Sequence, residues 1–179
     1  MACNLTTGFI NDCKNSAGGI SVVYVAPFSG KGNLSIVSGS VANTGSFLTS
    51  GSGAQFFQYN LRKATSTAKE TIKVSEANGT VYYEPEVDLV LTRTEVQKQN
   101  ELKTVAQQSV MVIVKDHTFG TGSYWLYGSD AGLELSGDQT TGKAFGDLNG
   151  YTLKFGPGME MYPAVSVPAN IITALTTPA

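Results

Sequence analysis

Residues 81–92 alternate between apolar and acidic side chains. The odd positions from 81 to 91 carry apolar residues, and Glu84, Glu86 and Asp88 stand between them. Because successive side chains of a β-strand point to opposite faces, this pattern predicts one long strand with an apolar face and a row of three carboxylates. Like charges in a row repel each other. The row therefore either faces water and keeps the protein soluble, or coats a surface from which something negative is kept away.

The segment 95–108 has the pattern of a helix that lies on the outside of the fold. Thr94 and Gln97 match a capping box, in which the two side chains bond to each other's backbone N–H groups. The apolar stripe that follows is narrow, so one face of the helix packs on the protein and the rest faces solvent.

Residues 110–114 are apolar at every position, which is typical of a strand covered on both faces. We expect the helix on one side of the sheet that contains this strand and a second sheet on the other side. Asn78-Gly79 predicts a tight type I′ hairpin, and Asn149-Gly150 predicts a second turn. The polar residues 62–71 are expected at the tip of a long excursion. Further strands are predicted at 20–26, 55–61, 123–127, 133–136, 151–155 and 159–167.

The fold class that follows is mainly β: two packed antiparallel sheets, sandwich or barrel-like, with one peripheral α-helix near residues 95–108. A chain of 179 residues fits a single domain. Within it we expect an N-terminal arm at 1–19, a β-sandwich core with the helix at 20–167 and a C-terminal tail at 168–179.

Composition narrows the classes of function. Charged residues make up 15% of the chain and the net charge is −2, without a basic stripe, so tight binding of nucleic acid is not expected. Cys3 and Cys13 with a single histidine cannot supply the four ligands of a zinc site, and we expect free thiols in a reducing cytosol. No apolar run reaches the roughly 20 residues of a membrane span, and no signal peptide is visible. We expect no metal and no cofactor.

Candidate chemistry is sparse, and the chain is not expected to be an enzyme. His117 is the only histidine, and no nucleophile motif accompanies it. The carboxylates of residues 84–88 lack the distinct environments that acid–base pairs need. Trp125 and Tyr127 lie in an aromatic run that either fills a β-core or stacks on sugars.

The last third of the chain resembles a group of bacteriophage structural proteins. The shared features are Gly132-Leu133, Thr141-Gly142, Asp147, Asn149-Gly150-Tyr151, Glu160 and Pro163-Ala164. With its size and element order, the chain looks most like the tail tube (major tail) protein family. The resemblance implies two packed sheets flanked by a helix, in subunits that form hexameric rings stacked into a hollow tube for DNA passage. It also implies contacts between rings through the arms and a long hairpin, for which residues 1–19, 62–71 and 169–179 are the candidates by placement.

The same resemblance suggests a purpose for the acidic row. A lumen lined by Glu84, Glu86 and Asp88 would repel phosphates and let DNA slide. Glu134 and Asp138 form a second candidate row, and the sequence does not decide which row faces inward. The implied location is the virion tail, assembled in the bacterial cytoplasm with other tail proteins. Two alternatives stay open: another ring-forming tail or head–tail joining protein, such as a terminator, and a carbohydrate-binding β-sandwich.

Overall fold

The computed structural model describes residues 17–33, 35–37, 40–43, 55–117, 124–169, 172 and 176–177. Cys3, Cys13 and most of the expected N-terminal arm lie outside these ranges. Within them, the helical elements are a 3₁₀ turn at Phe28–Asn33 and the helix α1 at Val96–Ala106. The strands are β1 (Ile20–Pro27), β2 (Ser35–Val37), β3 (Ser40–Asn43), β4 (Phe56–Asn60), β5 (Thr67–Ser75), β6 (Thr80–Thr92), β7 (Val110–Asp116), β8 (Tyr124–Tyr127), β9 (Leu135–Thr140), β10 (Gly150–Phe155), β11 (Val165–Val167) and β12 (Thr176–Thr177).

The strands form two sheets. The larger has the order β12-β4-β1-β7-β8-β11-β3-β2, and the smaller has the order β5-β6-β10-β9. Neighbours are antiparallel, apart from the short pairs β11–β3 and β12–β4. The predicted class is confirmed, since 51% of the chain is strand and 13% helical, in two sheets with one helix. The sheets are not closed into a barrel, so the sandwich is the form that the fold takes.

Strand β7 is buried on both faces, as its continuous apolar run predicts. Val110, Val112 and Val114 join a core cluster shared with the smaller sheet, in which Leu89 of β6 is 1% exposed. Met111 and Ile113, on the opposite face, join a second cluster with side chains of β1, β4, β8 and β11. Alternate residues of one strand therefore supply two cores, which is why no polar residue interrupts the run.

Helix α1 lies on the same side of the larger sheet as the smaller sheet. Its Val105 is buried, and its Leu102 half-buried, in the cluster that also holds Leu89 and Leu153 of the smaller sheet. The expectation that helix and second sheet would cover opposite faces is therefore wrong. Because its apolar stripe is narrow, the helix covers only a small part of the larger sheet, beside edge strand β9, which it contacts. The smaller sheet covers the rest of the same face of the larger sheet.

The predicted capping box at the start of α1 is also wrong. The helix begins one residue later, with Glu95 at the N-cap and no side-chain capping bond. The Thr94 hydroxyl instead donates to Asn149 Oδ1 at 3.0 Å, so it is engaged with the loop before β10. Glu95 stays beside the first turn through ion pairs with Arg93 Nε at 2.7 Å and Lys98 Nζ at 3.6 Å.

Strands β5 and β6 form a long hairpin whose tip is not at residues 62–71. Five of those residues begin β5, where Thr71 lies opposite Glu84, and the connection runs through residues 76–79. A type I′ turn needs positive φ at both central residues, but of Asn78 and Gly79 only Gly79 has it, at 61°. The hairpin is thus confirmed and its predicted turn type is wrong.

Asn149-Gly150 is not a tight turn either. Gly150 is the first residue of β10 and lies opposite Thr92 and Thr140, while the connection from β9 occupies residues 141–149. A Cβ at Gly150 would collide with the carbonyl of Leu91. Gly150 is therefore required because β10 and β6 approach closely at this point. An Asn-Gly pair in the sequence does not distinguish such a close approach from a tight turn.

The C-terminal residues that the structure describes lie against the larger sheet. Ile172 is buried in the second core cluster, and Thr176 and Thr177 pair in parallel with Phe56 and Phe57. The division into arm, core and tail stays a prediction.

Candidate assembly surface

All five acidic candidates belong to one face of the smaller sheet, the polar face. Asp88 lies opposite Lys154 on β10, and Asp138 on β9 lies opposite Thr152. Glu134 is exposed and precedes β9 in the same alternation as Asp138. Glu84 and Glu86 continue the row of Asp88 along β6. The two rows that the sequence presents as alternatives are therefore parts of one surface, separated by β10.

Three lysines lie among these carboxylates. Lys154 Nζ is 2.8 Å from Glu86 Oε1, Lys69 Nζ is 3.8 Å from the same atom, and Lys73 Nζ is 3.4 Å from Glu84 Oε2. The hydrogen bond from Lys154 lowers the pKa of Glu86, and the same bond raises the pKa of Lys154. The face combines five carboxylates with three ammonium groups, so its net charge is about −2 rather than −5.

The alternation of the acidic strand does not reveal these lysines, because they lie on the neighbouring strands β5 and β10. Lys69 also belongs to residues 62–71, which the sequence predicts as the tip of an excursion rather than as a strand. Lys69 and Lys73 are four residues apart, and in a strand that spacing puts both on one face. Once β5 is recognised as a strand paired with β6, the alternation predicts their position beside the acidic row.

Within the part of the chain that the structure describes, neither β5 nor β9 has a strand partner on its outer side, although helix α1 contacts β9. β5 and β9 are the end strands of the order β5-β6-β10-β9. Tyr83 of β6 exchanges both of its backbone hydrogen bonds with Glu160, each at 2.9 Å. Its partner on β5, Ile72, therefore directs its backbone N–H and C=O away from β6 and toward the open edge. Unpaired edges of this kind are templates for the addition of another strand.

The far half of the hairpin carries an apolar face without cover. Toward the base of β6, Val87 and Leu89 are buried under the larger sheet. Toward the tip, Ile72, Val74 and Val81 continue the same face and are 63%, 66% and 53% exposed. We call these three residues the hairpin patch. An edge strand with an apolar face is a surface on which another chain can pack.

Several residues that carry the resemblance have structural roles. The Glu160 carboxylate is buried and accepts the backbone N–H groups of Asp130 at 2.6 Å and Ala131 at 3.1 Å. Asp147 Oδ2 accepts those of Lys143 and Ala144, each at 2.8 Å, and these bonds lower the pKa of Asp147. Both carboxylates hold loops in place by accepting hydrogen bonds from backbone N–H groups.

The remaining candidates lie apart from this surface. His117 is half-buried at the end of β7, near Gly19. Trp125 and Tyr127 are half-buried and pack on the first core cluster, where Trp125 Nε1 donates to Asp116 Oδ2 at 3.4 Å. This packing is the core role of the aromatic run, and neither of these two rings is fully exposed.

Among the described residues, no group of three or more His, Cys, Asp or Glu side chains is placed to hold a metal ion. No helix in the described ranges is long and apolar enough to cross a membrane. Comparisons of the chain with protein-family models, characterised proteins and solved structures find no match.

The Glu86–Lys154 pair predicts a pH dependence of stability. Because the pKa of Glu86 is lowered from 4.5 in the folded protein, the pair stabilises above pH 4.5, and this contribution is lost as the pH falls through the folded-state pKa. Glu86→Gln should reduce the free energy of unfolding at pH 7, and this effect should shrink as the pH is lowered below 4.5, as measured by urea denaturation over a series of pH values.

Lys154→Met provides the matched control for this experiment. In the Lys154→Met background, the effect of Glu86→Gln at pH 7 should shrink, since the main partner is absent. An effect of Glu86→Gln that does not shrink as the pH falls below 4.5 would show that the ion pair does not contribute to stability.

Proposed function

We propose that this protein is a phage virion structural protein, the tail tube subunit, which assembles into stacked hexameric rings around a DNA-conducting channel. The observation that carries the proposal is the smaller sheet, whose end strands β5 and β9 have no strand partner on their outer sides within the described residues. A soluble monomer usually protects such edges. Joining β5 of one subunit to β9 of the next would remove both edges and close the small sheets of a ring into one barrel.

The chemistry of the polar face supports a channel lining. Its other side chains are mainly threonine, serine and lysine, together with Tyr82 and Val90, and the lysines are paired with carboxylates. Paired lysines attract phosphates less than free ones, and the remaining negative charge repels them. DNA can slide along such a surface because no cluster of free cations holds it. The ion pairs add a feature that a purely acidic lining lacks, since they keep neighbouring carboxylates from repelling each other.

The hairpin patch supports contacts between subunits. Its three aliphatic residues would be solvated in an isolated chain and buried once a neighbour covers the hairpin. Residues 72–81 are therefore a further candidate for contacts between subunits, and residues 62–71 stay a candidate by placement. Other ring-forming tail proteins remain the alternative, and they differ by forming one ring that does not stack.

Ile72→Pro tests the assembly of rings through the edge of β5. The N–H of Ile72 points away from β6, so proline removes an edge donor without breaking the β5–β6 ladder. We expect a folded subunit, by circular dichroism, that forms neither rings nor tubes in negative-stain images of concentrated protein. Ile72→Thr is the control, because it removes the apolar side chain and keeps the donor. Tubes formed equally well by Ile72→Pro would contradict assembly through this edge.

The double substitution E134K/D138K tests the channel lining. Both side chains are exposed, and no ion pair involves them within the described residues, so reversing their charge should leave the fold intact. In assembled tubes, the polar face would change from a net charge of about −2 to about +2 per subunit, and DNA retention should rise steeply at low salt. The neutral pair E134Q/D138N should have a much smaller effect. If the tubes assemble and retain no more DNA at low ionic strength, the polar face does not line the channel.

A further inference from the structure

The loop between β9 and β10 presents one aromatic side chain to solvent. Phe145 is fully exposed, the most exposed of the large apolar residues that the structure describes. It follows Lys143 and Ala144, whose N–H groups both bind Asp147 Oδ2, and the Asp147 N–H returns to the Ala144 carbonyl at 3.1 Å. Gly142 takes φ 70° where a Cβ would collide with Asp147. The loop is thus ordered by its own bonds, with the ring of Phe145 outside.

A groove of about 470 Å³ opens between β4 and helix α1. Its apolar lining comes from Phe57, Tyr59, Leu91 and Leu102. A cavity of roughly 150 Å³ is large enough for a benzene ring. The groove can therefore accept a phenylalanine side chain together with part of the backbone that carries it.

The groove has an acidic group at its side. Glu101 of α1 lines it beside Tyr59, and the nearby Glu101 carboxylate adds to the burial that raises the pKa of the Tyr59 hydroxyl. Glu101 is exposed, so its carboxylate can also meet an incoming cation. On the loop, Lys143 is exposed and lies two residues before Phe145. Lys98 also lines the groove, where its ammonium group pairs with Glu95 at 3.6 Å. The loop thus offers an aromatic ring and a positive charge, and the groove offers an apolar lining and the Glu101 carboxylate.

The loop and the groove lie at the same end of the molecule. The Arg93 N–H donates to the Asn149 carbonyl at 2.6 Å, which ties the base of the loop to the connection between β6 and α1. Thr92 and Lys98, on either side of that connection, line the groove. Phe145 nevertheless does not enter the groove of its own chain, because its ring is fully exposed.

We propose that Phe145 of one copy inserts into the groove between β4 and α1 of a second copy, with Lys143 paired to Glu101, to form a reciprocal two-fold contact. Since each copy carries both parts at one end, one symmetric encounter makes both insertions, and the pair is closed. The ordered loop lowers the entropy that is lost on binding. The inference is independent of the proposed function, because it uses neither sheet edge nor the hairpin patch.

Phe145→Ser tests the insertion by sedimentation velocity over a range of protein concentrations. The wild-type chain should show a monomer–dimer equilibrium, and Phe145→Ser should weaken it about 30-fold or more, as expected for a central aromatic anchor. Met159→Ser is the matched control, since Met159 is an exposed apolar residue beyond the opposite end of β10. An equal loss in both variants, or a wild-type chain that is monomeric throughout, would overturn the inference.

A charge exchange between two variants identifies the partner surfaces. K143E puts a carboxylate against Glu101 in a pair of identical copies, and E101K puts an ammonium group against Lys143, so each variant alone should dimerise less than wild type. In a mixture of the two variants, both contacts of the heterodimer regain opposite charges, and dimerisation should return at low salt. Failure of the mixture to dimerise, with both variants folded by circular dichroism, would contradict the assigned contact. Tube formation is a separate readout, which Ile72→Pro affects and Phe145→Ser leaves intact.

Discussion

The hairpin of β5 and β6 extends beyond the larger sheet that covers its base. This difference in length explains the exposed apolar face of the hairpin and the need for ion pairs across its strands. β6 spans 13 residues, but its side chains are buried under the larger sheet only from Pro85 to Leu89. Toward the tip of the hairpin, the apolar residues of the same face are exposed, because the larger sheet does not cover them. Burial drives sheet packing. The far half of the hairpin therefore depends on cross-strand pairs and ladder bonds until another surface covers it.

The ion pairs on the polar face support the hairpin where the core does not. Lys73 and Glu84 join β5 to β6 near the end of the covered region, and Lys69, Glu86 and Lys154 join three strands nearer the base. Exposed pairs are individually weak, but a network across neighbouring strands holds the register as well as adding stability. The same network moderates the charge of a face that would otherwise repel itself. One set of side chains thus serves both the fold and the surface that is proposed to line a channel.

The strongest periodic signals in the sequence predict the fold correctly, while local motifs predict it less well. The alternation in β6 and the apolar run in β7 give both strands, because burial at each position determines the residue type there. Thr94 satisfies the capping motif but bonds to Asn149 from a distant loop, and Gly150 supports close packing instead of a turn. Tertiary contacts of this kind can override the conformation that a motif of two to four residues favours. The position of Lys69 beside the acidic row is hidden for a related reason, since an edge strand with many polar residues has the composition of a loop.

The central claim is that other copies of the chain complete the open edge of the smaller sheet. Amide hydrogen exchange at single-residue resolution tests it most directly on β5. Ile72 and Val74 direct their N–H groups outward, whereas Thr71 and Lys73 donate toward β6. In the isolated subunit, we predict fast exchange at Ile72 and Val74 and slow exchange at Thr71 and Lys73. In the assembled state, Ile72 and Val74 should become as protected as their neighbours. Unchanged fast exchange at Ile72 and Val74 after assembly would contradict the claim.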